Sequence, residues 1–169
     1  SIRLSTDGFS FSIYNPIHDD SLSIIEKEID TSLSLTANLK AVFHESDFLN
    51  HPYKRVNIMM ASKRFTIAPL DLFEEGQAEL LFYHNHQKRE NETVLYNILR
   101  KNNVAVIFGI DKSAQTFLNE QYPEARFYSQ STPFIDYFSV KSRLGNSKKM
   151  YASVRKDGID IYCFERGHL

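Results

Sequence analysis

Two Asp-Gly dipeptides, Asp7-Gly8 and Asp157-Gly158, sit 150 positions apart, near opposite ends of a 169-residue sequence. Each lies between runs in which bulky and polar side chains alternate. An Asp-Gly pair in that setting is the strongest short-range signal for a tight β-hairpin, because both turn positions need φ > 0. Leu4-Ser5-Thr6-Asp7-Gly8-Phe9-Ser10-Phe11 can be laid over Val154-Arg155-Lys156-Asp157-Gly158-Ile159-Asp160-Ile161 without a gap. Any two Asp-Gly hairpins share some likeness, so spacing alone leaves open whether this is a repeat.

Between the ribbons the period changes several times. Asn15-Pro16 breaks the first ribbon, and Leu22 to Ile29 is a candidate third strand. Leu35, Leu39, Val42 and Phe43 recur at helical spacing, with Ser34 or Thr31 as cap, until His51-Pro52. Arg55–Ala61 and Phe65–Ala68 read as two strands joined tightly at Ser62-Lys63. A helix is predicted over roughly Asp71 to Tyr83, weakened at Gly76 by about 1 kcal/mol relative to Ala. The polar stretch His84–Glu92 reads as an exposed loop. Thr93–Leu99 and Val104–Ile110 read as strands, and Asp111 as the cap of a helix with Ala114, Phe117 and Leu118 on one face. Phe127-Tyr128 suggests a short strand. Thr132-Pro133 suggests a cap and first turn, followed by Phe134, Tyr137, Phe138 and Leu144 facing inward. The class is mixed α/β.

With 42% hydrophobic and 24% charged residues, the chain can bury a core and is neither disordered nor collagen-like. Twenty basic against 21 acidic residues give no general attraction to phosphate backbones, so nucleic acid is disfavoured as a partner. One cysteine, Cys163, rules out an intrachain disulfide, and a reducing cytoplasm is the simplest setting. The apolar run Val104–Ile110 falls well short of the roughly 18 residues of a membrane span, and Ser1-Ile2-Arg3-Leu4 does not open a signal peptide.

Candidate sites are few. His84 and His86 could approach one metal but lack further ligands, and His18-Asp19-Asp20 reads as a solvated turn. Glu74-Glu75 suits a helix start through the macrodipole. Cys163, between Tyr162 and Phe164, reads as a buried, inert thiol. No nucleophile elbow, Walker loop or dinucleotide fingerprint occurs. Lys141, Arg143, Lys148, Lys149, Arg155 and Lys156 form a basic cluster with no acidic residue between them, either a solvated face or an anion-binding surface. Thirteen Phe and nine Tyr fill a core and also suit a protein interface.

The runs Ser1–Pro16 and Lys149–Phe164 resemble the two domain-opening hairpins of the actin, hexokinase and sugar-kinase superfamily. The whole chain resembles the N-terminal part of a Bacteroidetes family of unknown function with an actin-like ATPase fold. That resemblance implies a first actin-like (ribonuclease-H-like) domain over 1–148, with an α+β insertion at about 52–100. Residues 149–169 would then be the opening hairpin of a second domain. It also implies that the turns Thr6, Asp7, Gly8 and Lys156, Asp157, Gly158 face a nucleotide. An active member carries Asp-x-Gly-Thr/Ser there, the Asp holding Mg²⁺ through water. With the glycines aligned, Thr6 and Lys156 stand at the Asp positions, and Phe9 and Ile159 at the hydroxyl positions. Magnesium needs hard anionic oxygen, so neither ATP nor Mg²⁺ is expected as a cofactor. The resulting expectation is a non-catalytic, self-associating or partner-binding module. Two alternatives stand beside it: a nucleotide-binding or weakly hydrolysing protein that uses Asp7 and Asp157 after a one-residue shift, and an anion or nucleic-acid surface on the basic cluster.

Overall fold

A computed structural model describes residues 1–15, 21–145, 147–155 and 158–169. The Asp7-Gly8 ribbon forms as its alternation requires. Strand β1 (Ile2–Ser5) pairs antiparallel with β2 (Phe9–Asn15), and the register Ile2↔Phe11 and Leu4↔Phe9 puts four apolar side chains on one buried face. Strand β3 (Ser21–Lys27) extends the ribbon. Helix α1 (Leu35–Glu45) is capped by Ser34, whose Oγ accepts from the Ala37 amide at 3.2 Å. Its Leu39, Val42 and Phe43 bury against the ribbon's apolar face.

Strand β4 (Asn57–Ala61) returns parallel to β1, and β8 (Arg126–Ser129) lies parallel beyond it. The result is a five-stranded sheet in the order β3-β2-β1-β4-β8. Between β4 and β8 the chain builds a second, antiparallel sheet of β5 (Phe65–Pro69), β7 (Val104–Asp111) and β6 (Glu92–Leu99), in the order β5-β7-β6. Strands β4 and β5 are joined closely through Ser62-Lys63, as the sequence suggested, but belong to different sheets. The expected insertion at 52–100 takes in β4, a strand of the five-stranded sheet, and stops short of β7.

Helix α2 (Ala78–Asn85) is shorter than the predicted 71–83 and follows two 3₁₀ turns. Gly76 and the extended Phe73 and Glu74 break the period ahead of it. It packs Ala78 and Phe82 against Ala68 and Ile107. The stretch read as an exposed loop is helical through Asn85. At its other end Glu92 opens β6 and is buried in a two-point ion pair with Arg64, with Nε–Oε1 2.7 Å and Nη2–Oε2 2.6 Å. Helix α3 (Lys112–Gln121) starts as predicted, with Asp111 Oδ1 accepting from the Ala114 amide at 2.8 Å. The two sheets are joined through Asn97 of β6. Its Nδ2 donates to Phe127 O at 2.9 Å, and its Oδ1 accepts from Ser129 N at 3.0 Å and Thr132 Oγ1 at 2.7 Å.

Helix α4 (Ser131–Ser142) corrects two expectations. Thr132 is not its cap, since that hydroxyl serves Asn97. Tyr137 and Leu144 point to solvent, while Ile135, Ser139 and Ser142 are buried. The last ribbon, β9 (Lys148–Arg155) and β10 (Gly158–Glu165), is a separate two-stranded sheet. Its Tyr151, Tyr162 and Phe164 pack on Phe134 and Phe138 of α4, and the Phe138 and Tyr151 rings stack at 4.3 Å. Because Tyr162 and Phe164 take the inner face, Cys163 is exposed rather than buried.

Candidate functional site

The first turn is closed by its own residues. Ser5 N donates to Gly8 O at 3.1 Å, and Ser5 Oγ lies 2.7 Å from the same oxygen and also bonds the Asp7 carboxylate. Thr6 and Asp7 are exposed at the tip. Gly8 has a local reason to be glycine, because a Cβ there would stand 2.8 Å from the Lys27 carbonyl oxygen of the neighbouring strand. Phe9, at the position where a phosphate-binding hydroxyl would stand, is 2% exposed and faces the core. Arg3 reaches this end of the sheet, with Nε donating to Gln130 Oε1 at 3.2 Å.

The second turn comes close to the first through a residue that the sequence did not single out. Ser5 of β1 is in register with Ala61 of β4, and Lys63 follows two positions later. A Cβ on Gly158 would meet Lys63 Cε at 3.0 Å and Nζ at 3.4 Å. Both turns thus flank the Ser62-Lys63 crossover between the sheets. Lys156 and Asp157 lie outside the described residues, as does His18-Asp19-Asp20. Arg155 forms an ion pair with Asp160 across the ribbon, and Ile159 is exposed on the ribbon's outer face.

Among the described residues of the basic cluster, Arg155 stands apart from the others. Lys148 and Lys149 alternate to opposite faces of β9. Lys148 pairs with Glu165 at 3.4 Å. Lys149 Nζ donates to the carbonyls of Lys141 (3.2 Å) and Leu144, and Lys141 lies over the Tyr137 ring. Arg143 packs against Gly167. Lys149 and Arg155, six residues apart on one strand, are separated by about 20 Å at ordinary strand rise.

His84 and His86 are not joined by further ligands, and His86 Nε2 lies 3.0 Å from Phe65 O. Among the described residues no group of three or more His, Cys, Asp or Glu is arranged to hold a metal. No helix among them is long and apolar enough to cross a membrane. A groove of about 610 Å³ lined by Phe48, Tyr53, Lys54, Arg55 and Tyr122 opens at the amino ends of β1 and β4, away from both turns.

The order β3-β2-β1-β4-β8, with an antiparallel ribbon leading into parallel strands and a second ribbon after the last helix, matches a protein of known structure. That protein, from Bacteroides thetaiotaomicron VPI-5482, is described as having an actin-like ATPase fold and unknown function. It is 82% identical, with a TM-score of 0.94 over 99% of this chain. Residues 1–169 match a family described as a protein of unknown function, DUF3822. The chain belongs to the DUF3822 family. It has the mixed α/β, actin-like fold, and it spans 65% of the length of the Bacteroides protein. No curated protein matches it. The DUF3822 turns can be compared with an actin-like site only through chemistry. Among the described residues they offer one exposed carboxylate, Asp7, tied to Ser5, and a lysine beside Gly158.

Proposed function

We propose that this chain is the first domain, with the opening ribbon of the second, of a two-domain cytoplasmic protein that serves as a non-catalytic assembly or interaction module. The insertion in this reading is the three-stranded sheet, Phe65 to Asp111. The observation that carries the proposal is Phe9: a side chain buried in the core stands where an actin-like nucleotide site needs a hydroxyl on phosphate. Thr6 supplies no anionic oxygen for Mg²⁺, and Ser5 already engages Asp7. In the full-length protein, saturating Mg-ATP, Mg-ADP and Mg-GTP are expected to leave the melting temperature unchanged. A bound ligand at 100 times its Kd would add about 2.7 kcal/mol, so a magnesium-dependent rise that Asp7→Asn abolishes would overturn the proposal.

One observation favours the nucleotide-binding alternative. Lys63 lies beside the second turn, where an ammonium could meet a phosphate without a metal. That reading predicts nucleotide stabilisation that persists in EDTA and is lost in Lys63→Met. The anion-surface alternative draws little support from Lys141, Lys148, Lys149 and Arg155, which are each engaged locally.

A further inference from the structure

The β9–β10 ribbon carries apolar side chains on both faces, and the packing described so far uses those of one face. Alternation sends Met150, Ala152 and Val154 of β9 outward, together with Ile159, Ile161 and Cys163 of β10. The register makes them three directly opposed pairs: Val154↔Ile159, Ala152↔Ile161 and Met150↔Cys163. They are not half-shielded, since Met150 is 70% exposed, Val154 75%, Ile159 61% and Ile161 60%. Among the described residues the only charged pair on this face is Lys148–Glu165, at one end. An isolated two-stranded ribbon is marginal in water, and a continuous apolar patch of this kind marks a surface that something covers. Among the described residues neither strand has a second strand partner.

We infer that this outer face is covered by polypeptide of the same protein lying outside residues 1–169. It is the counterpart of the part of the Bacteroides protein that this chain does not span. The argument for that occupant is length. At 82% identity over 99% of the chain, the relative's fold is this fold, yet the chain accounts for 65% of the relative. A further third of a chain is enough to extend the ribbon into a sheet and lay a helix on the three apolar pairs. The inference rests on the two-domain part of the proposed function and not on its non-catalytic part. Nucleotide binding would therefore sink that part and leave this one standing.

Cys163, the one cysteine of the sequence, sits in the face and reports on it. In the native full-length protein its modification by 5,5′-dithiobis(2-nitrobenzoic acid), followed by peptide mass spectrometry, is expected to be at least about 100-fold slower than in urea, as for a thiol reached only through opening. Light scattering should give a monomer mass, with protection unchanged on dilution. Ile161→Lys should lower the melting temperature by about 10 °C or more, whereas Lys148→Gln on the ribbon's rim should leave it unchanged. If Ile161→Lys yields no folded protein, labelling of the unaltered chain decides. A rapidly modified Cys163 in the native monomer would overturn the inference. So would protection that belongs to a dimer and fades with dilution, because a second copy would then be the cover.

Discussion

The Asn97 carboxamide works as a short piece of strand, donating to Phe127 O and accepting from Ser129 N, so that β6 grips β8 through a side chain. Replacing it by Leu leaves a buried N–H and C=O without partners. Urea unfolding should register a loss of about 1–3 kcal/mol. Gly109 stands at a second tight point. A Cβ there would lie 2.5 Å from Glu92 Oε1 and 2.9 Å from Phe82 Cζ, and Glu92 cannot swing aside without breaking its pair with Arg64. Gly109→Ala should therefore destabilise by about 1–3 kcal/mol in the same measurement. Tyr122 donates to Leu49 O at 2.5 Å, and burial pushes its phenol up to about 12. An ordinary tyrosine in the unfolded chain ionises near 10. Between those values the unfolded state loses protons that the folded state keeps, so stability falls as pH rises through that window. Tyr122→Phe should remove this part of the decline, seen by comparing unfolding at pH 9 and pH 11.

At the scale of elements, the last ribbon depends on α4. The Phe138–Tyr151 stack and the neighbouring Tyr162 ring form the joint. Phe138→Ala should loosen it by about 2 kcal/mol or more, with hydrogen exchange showing lost protection in β9 and β10 ahead of the five-stranded sheet. The same joint shows what a sequence can and cannot disclose. The β1–β2 ribbon was legible because its polar and apolar residues separate cleanly: Ile2, Leu4, Phe9 and Phe11 against Arg3, Ser10 and Ser12. In β10 the run Ile159-Asp160-Ile161-Tyr162-Cys163-Phe164 is apolar on both faces toward its end. Nothing local says that Tyr162 and Phe164 turn inward and Cys163 outward. Strands β4 and β5 were found within two residues, but their partners lie in β1 and β7, and sheet membership is a long-range property. Of the candidate site, the first turn could be read from Asp7-Gly8. Lys63 could not, because its contact with Gly158 spans most of the chain.

As a whole molecule, the chain has the actin-like frame. The order of the five-stranded sheet brings the first turn and the Ser62-Lys63 crossover to one end, and the second ribbon meets that crossover at Gly158. Among the described residues, what stands there is a lysine, a hydroxyl-tethered aspartate and a phenylalanine turned into the core. Under the proposed non-catalytic reading, that end makes polar contacts without carrying a metal–triphosphate. Isothermal titration of the full-length protein with ATP, once with millimolar Mg²⁺ and once with EDTA, tests this most directly. The account predicts no magnesium-dependent heat of binding. A saturable, magnesium-dependent isotherm that Asp7→Asn eliminates would contradict it.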